Sequence, residues 1–334
     1  MITLIFALNL VLAQAIPAPP LPTTANLLDG GDTRIEIPLV AALRQIPPGS
    51  VLMVGENHGN WPHRDQQLQI LSTLLTLSMT SEIGTSRVNL GMEFFSWPDQ
   101  KWVNQYLGGT LGEAAFLEAI KWGTPPFDYY RQQVLTTSQS GGQVIAINAP
   151  RSLTGRVSKG GLAGLSDDEK RLLPENFGLG NPAYFERFEE IMGSHVPASA
   201  VQRYFEAQSV WDDTMAARAS EFIKLHPKDI LVIIVGEFHI QYGGGLPDRL
   251  IQRGVKQVYT LSQVNLFGMT PDEVDEALHP STKYGKRANW LWPSKFEPDK
   301  PEKYEAKNLF ENTWLQDSLP LEWHDFLTRK RIKK

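Results

Sequence analysis

Short aliphatic runs along this chain alternate with longer stretches whose apolar residues recur every third or fourth position. Val51, Leu52, Met53 and Val54 form a run that Gly55 stops, and residues 62–78 then carry Leu68, Leu71, Leu74 and Leu75 at helical spacing. Residues 88–95 predict a second strand. Residues 98–122 hold helical patterns interrupted by Gly108-Gly109, residues 129–138 predict a helix, and residues 144–147 a third buried strand. Strand and helix taking turns predict an α/β fold, a mainly parallel sheet with helices on both faces.

After Pro150 the pattern changes. Residues 151–226 contain no strand pattern, and their longest helical stripe carries Val201, Tyr204, Gln208, Trp211, Met215 and Phe222. Strand returns at residues 230–235 and 257–261, with a Gly-rich turn and a helix at residues 246–252 between them, so the helical segment is an inserted subdomain. Thr270-Pro271-Asp272-Glu273 has the chemistry of a helix start: a capping hydroxyl, proline in the first turn and a reciprocal Glu. The Trp- and Pro-rich remainder has no assignable period. The expected organisation is a signal peptide over residues 1–15, a linker and approach segment over 16–48, an α/β domain over 49–265 with its helical insertion over 151–226, and a C-terminal extension over 266–334.

Composition narrows the function. A chain of 334 residues that is 42% hydrophobic and 21% charged can bury a sizeable core. Its net charge of -5 argues against a dedicated nucleic-acid binder. The one basic run, Arg329, Lys330, Arg331, Lys333 and Lys334, reads as a solvated tail. With no cysteine there are no disulfides, no thiolate metal sites and no covalent haem attachment through Cys-x-x-Cys-His. The apolar start ends in Ala13-Gln14-Ala15 before a Pro-rich segment, which predicts export with cleavage after Ala15, although no Lys or Arg precedes the apolar stretch. That stretch is short for a spanning helix, and no later one is long enough. The expected product is periplasmic or secreted and has no stable membrane span.

The strongest chemical signal is an echo. Val54-Gly55-Glu56-Asn57-His58 and Val235-Gly236-Glu237-Phe238-His239 each end an aliphatic run. In an open parallel sheet ligands bind outside the carboxyl ends of the strands, where both pentapeptides fall. Glu93, in Gly91-Met92-Glu93-Phe94-Phe95, ends another strand and projects toward the same crevice. Glu56, His58, Glu93 and His239 are therefore the candidate catalytic residues. His58, Glu93 and His239 are also candidate ligands for a divalent metal such as Zn, Mn, Fe or Co, which would activate water. The competing reading is that these side chains only stabilise strand ends.

Weaker candidates surround them. His63 either faces the crevice or caps a helix. Asn148, in Asn148-Ala149-Pro150, is within reach of the crevice. Trp211-Asp212-Asp213-Thr214-Met215 reads as a core stripe beside solvated aspartates. Gly243-Gly244-Gly245 lacks the Lys-Ser/Thr of a phosphate loop. His195, His226, His279 and His324 read as surface residues.

Taken together, Gly55-Glu56-Asn57-His58, Gly91-Met92-Glu93, Asn148-Ala149-Pro150, Trp211-Asp212-Asp213-Thr214-Met215-Ala216 and Gly236-Glu237-Phe238-His239 with the segment 243–247 resemble the ordered motifs of the ChaN-like family, a branch of the haem-binding uptake and Tiki superfamily. The resemblance covers residues 50–262. It implies an α/β core with a helical subdomain, haem binding and bacterial iron uptake, with haem or another small molecule as ligand and a homodimer among the expected partners. Tyr184 and Tyr204 lie in the segment from which a haem ligand would come. Related Tiki and erythromycin-esterase branches imply a metal-dependent peptidase or esterase instead, with His58, Glu93 and His239 in its active site. A carbohydrate or peptide binder using the nine Trp is a third, non-catalytic reading.

Overall fold

Aliphatic runs bounded by glycine and polar residues become the strands of one eight-stranded sheet. The computed structural model describes residues 25–297 except 85, 124 and 193–196, so the predicted leader and the basic tail lie outside the described residues. The strands are β1 (Asn26–Asp29), β2 (Glu36–Pro38), β3 (Ser50–Glu56), β4 (Val88–Ser96), β5 (Val144–Asn148), β6 (Ile230–Gly236), β7 (Gln257–Asn265) and β8 (Trp290–Ser294). Their spatial order is β2-β1-β8-β7-β3-β6-β4-β5. Every neighbouring pair from β8 to β5 is parallel, and only β1 pairs antiparallel, with β2 and β8. The mainly parallel α/β sheet expected from the alternation of patterns is the one observed.

All seven residues of β3 and of β6 are buried. Their side chains divide between two cores because successive residues of a strand face opposite sides. Leu52, Val54, Val232 and Ile234 join the core under helices Trp61–Met79 and Arg131–Gln139. Val51, Met53, Leu231, Ile233 and Val235 join the core under helices Arg151–Gly160, Ala198–Leu225 and Leu246–Gln252. Each such side chain contributes roughly 1.5–3 kcal/mol when fully buried. Helix Pro182–Met192 adds a third, smaller core of Tyr184, Phe188, Met192, Val201, Tyr204 and Phe205 against helix Ala198–Leu225.

The sheet takes in more of the chain than residues 49–265. β1 and β2 fall in the segment read as a linker and approach, and β8 falls in the C-terminal extension. Strands of three to five residues are too short to show a period, and the partner that joins β1 to the rest of the sheet, β8, is remote in sequence. What positions the site is the middle of the sheet: β3 lies between β7 and β6, β4 lies beyond β6, and Glu56 pairs in register with Gly236. The carboxyl ends of β3, β6 and β4 therefore open side by side.

Candidate functional site

The first motif closes on itself. His58 Nδ1 lies 2.9 Å from Glu56 Oε1, and since an ionised carboxylate only accepts, the imidazole N–H donates. Glu56 is held in turn by the Tyr130 hydroxyl, which donates to Oε1, and by Gln67 Nε2, which donates to Oε2 at 2.5 Å. The His58 side chain is 29% exposed, whereas Glu56 is buried. Phe94 meets the His58 ring edge-on at 5.1 Å and stacks on Tyr130 at 4.1 Å. Burial opposes charge on His58, but Glu56 and Glu93 outweigh it and raise its pKa.

The second motif has the same letters and different partners. His239 Nδ1 lies 2.6 Å from Asp212 Oδ1, and its Nε2 lies 3.4 Å from Glu93 Oε1. Asp212 comes from helix Ala198–Leu225 and is completely buried. Its other oxygen accepts from the Tyr184 hydroxyl at 3.0 Å, and Gln208 Nε2, one helical turn before Asp212, donates to the same hydroxyl oxygen at 3.0 Å. Burial works against a charged imidazole, yet Asp212 and Glu93 together raise the pKa of His239 to about 10. Glu93 responds in the opposite direction: burial pushes it up, but His239, His58 and the Gly236 N–H hold it at about 2. His239 thus lies between two carboxylates that favour its charged form.

Glu93 faces the side of the sheet opposite Met92 and Phe94, the side that helix Ala198–Leu225 covers, and β4 becomes irregular just after it. Its register against β5 shifts between Met92 and Ser96, and the consecutive residues Phe94 and Phe95 both join the same core. The irregularity turns Phe95 to the side that Phe94 faces. Asn148 secures Glu93 by donating from Nδ2 to the Glu93 carbonyl at 2.8 Å. Gly236 closes the arrangement: its N–H donates to Glu93 Oε2 at 2.6 Å, and a Cβ at that position would lie 3.1 Å from His58 Nε2 and 3.5 Å from Glu93 Oε2. A side chain at this position would press on the His58 ring, so glycine lets the two motifs close on one another without displacing it.

Glu56, His58, Glu93 and His239 are therefore brought together, Asp212, Gln208 and Tyr130 are members of the site that sequence reasoning missed, and Tyr184, singled out there only as lying in the haem-ligand segment, joins them by bonding Asp212. Asp212 and Asp213 are not solvated as expected: Asp213 pairs with Arg253, 2.9 and 2.7 Å from its two oxygens. The signal for Asp212 was the Trp211-Asp212-Asp213 segment itself, masked by the apolar stripe around it. Glu237, although it matches Glu56 in the echo, turns away from His239. It accepts from Ser262 and from Arg287 Nε at 2.6 Å, and that pair keeps its carboxyl below the usual range against the effect of burial. His63 is buried, accepts the Asn57 N–H at Nδ1 (3.1 Å), and is pushed down to a pKa of about 4 by burial. The glycine run answers to packing: a Cβ at Gly244 would lie 2.9 Å from the Tyr184 ring, and one at Gly245 3.0 Å from its hydroxyl. Tyr184 is buried among these glycines with its hydroxyl committed to Asp212. His226 and His279 sit toward the surface, whereas His195 and His324 lie outside the described residues.

His58, Glu93 and His239, the residues expected to hold a metal, lie in one cluster. His239 Nδ1 bonds Asp212 while Nε2 lies 3.4 Å from Glu93, and among the described residues no group of three or more acidic or imidazole side chains is arranged to hold an ion. The arrangement is two carboxylate-backed imidazoles of unequal exposure, suited to holding and moving protons and to presenting His58 to a ligand.

The family described as haem-binding uptake, Tiki superfamily, ChaN matches residues 42–250. Protein RETICULATA-RELATED 5, chloroplastic, from Arabidopsis thaliana is 25% identical over 209 residues, which are 58% of this chain and 28% of that protein, so the chain spans little more than a quarter of the relative's length. The structure titled cofacial heme binding to ChaN of Campylobacter jejuni is 14% identical with a TM-score of 0.58, covering 81% of this chain and 98% of that one, a likeness of fold. The type III effector HopBA1 is 11% identical with a TM-score of 0.46, over 84% and 99% of the two chains.

Proposed function

From the finding that this chain belongs to the haem-binding uptake, Tiki superfamily, ChaN family, we propose that it binds haem in the crevice at the carboxyl edge of its sheet and serves iron acquisition. The observation that carries the reading is His58: an imidazole open to solvent on one side, backed by a buried carboxylate and bordered by Phe94. A donor set of this kind suits haem iron, because a carboxylate on the distal nitrogen fixes the tautomer and raises the basicity of the ligating one. His58 is the residue that would hold the iron, and bound haem would supply a redox-active iron centre there. Tyr130 and Gln67 keep Glu56 in place. Tyr184 does not suit the ligand role, being buried and bonded to Asp212.

Titration of the purified full chain with haemin tests this. A Soret band that saturates at one haem per binding site and is lost in His58→Ala, with the fold intact by circular dichroism, is expected; a His58→Ala protein that binds haemin as well as the parent sinks the assignment. An exported location and self-association belong to the same proposal. Among the described residues no helix is long and apolar enough to cross a membrane. The mass of the mature protein reads the leader, and light scattering with and without haemin reads the oligomer.

One observation favours a second reading. His239 is 9% exposed and sits on a buried aspartate, an arrangement that haem ligation does not need. It suits electrostatic stabilisation and proton transfer in hydrolysis, with His58 as base. Ester or peptide turnover that is unaffected by chelators and abolished by His58→Ala would support it.

A further inference from the structure

Arg187 lies in helix Pro182–Met192, three residues after Tyr184, and is only 5% exposed. Its Nη1 donates to Gln241 Oε1 at 2.9 Å and its Nη2 to the Phe238 carbonyl at 3.0 Å, while its Nε has no partner. The guanidinium lies over the rings of Phe238, Tyr242 and Tyr184, at 4.2, 5.2 and 5.7 Å. Among the described residues no carboxylate stands within ion-pair distance of it. The neighbouring charges are Glu237 and Arg287, which pair with each other, so the cluster holds two cations and one carboxylate. Gln241, which accepts from Arg187, also lies beside Glu237, so a neutral amide stands near that carboxylate and Arg187.

Cations are rarely kept buried with neutral acceptors alone, because desolvation then goes uncompensated. A planar guanidinium stacked on aromatic rings is also the side chain best matched to carboxylate and phosphate oxygens. Position adds to this. Phe238 is the residue next to His239, and Phe238, Gln241 and Tyr242 are half-buried, so Arg187 lies just beneath the surface on the helical-subdomain side of the crevice.

We propose that Arg187 is the anion-recognition point of the crevice ligand, where a carboxylate or phosphate oxygen takes the place of the Gln241 amide. The proposal rests on the haem reading for its ligand, a macrocycle that carries two carboxylate arms. The site itself does not depend on iron.

The test compares haemin with its dimethyl ester on the full-length chain and on Arg187→Met and Gln241→Ala. Haemin should bind the parent more tightly than the ester does. Arg187→Met should weaken haemin by about tenfold to a hundredfold, the range for a lost hydrogen bond to a charged group, and leave the ester unchanged. Gln241→Ala, which removes the competing acceptor, should tighten haemin. Equal haemin affinities for parent and Arg187→Met overturn the proposal. If Arg187→Met does not fold, Gln241→Ala decides, and failure to tighten haemin overturns it. If the parent binds no haemin at all, the haem reading fails and the subsite is judged separately with acetate and inorganic phosphate, read from the Arg187 Nε–H resonance. A saturable shift with either anion then supports the site and shows which oxyanion it takes, and no shift with either overturns it.

Discussion

His63 shows what burial does to a single titratable side chain. Its ring accepts a backbone N–H and lies completely inside the protein, so its pKa falls to about 4 from an ordinary 6.5. Between those values the unfolded chain binds the proton and the folded one does not. Stability from this residue is complete above pH 6.5 and is lost as the pH falls toward 4, by at most about 3 kcal/mol. His239 has the opposite sign, its contribution present below pH 6.5 and lost as the pH rises through about 10, while that of Glu93 is present above pH 4.5 and lost as the pH falls through about 2. Replacing His63 with Gln should flatten the urea-unfolding free energy between pH 4 and 6.5; an unchanged slope would reject the neutral, buried assignment. The sequence alone left His63 open between crevice and cap, because nothing local distinguishes a buried imidazole from a solvated one. Glu56, His58, Glu93 and His239 were legible because glycine interrupts an aliphatic run just where a polar residue follows.

At the scale of elements, helix Ala198–Leu225 puts Gln208 and Asp212 one turn apart, so that both reach Tyr184 while Asp212 also reaches His239. Asp212 sets the charge of His239, and Asp212→Asn should lower the His239 titration midpoint by at least about one unit, since removing an opposite charge in contact has that effect. Carbon-detected NMR of the imidazole checks this, and a midpoint still near 10 would assign the shift to Glu93 alone. Long strands and long helices were readable from their periods. Asp212 was not, because a helix stripe that packs a core and one that presents a functional carboxylate share the same spacing. The bulge in β4 was also invisible, since it depends on pairing with β5 and on the Asn148 side chain rather than on any turn residue in β4 itself.

Across the whole molecule, the segment beyond the matched residues 42–250 reaches back into the core. Arg287 Nε pairs with the buried Glu237, and the Arg287 carbonyl accepts the Tyr242 N–H at 2.8 Å. Arg287→Ala should destabilise the protein by about 3–5 kcal/mol, the usual cost of leaving a buried charge alone, and adding Glu237→Gln should restore much of it. Denaturant unfolding of both variants decides, and a double variant no more stable than the single one would count against the pair. The sequence could not reveal this partner, because residues 277–290 have no apolar period and the matching Glu in the first motif is satisfied locally. The order of strands has a further outcome. β1 is joined to the sheet only through β8, and Leu28 pairs with Leu291. During synthesis the β1–β2 pair must therefore wait, without its neighbour in the sheet, until nearly all of the described chain has been made, so this edge joins the sheet late although its strands are the earliest of those described.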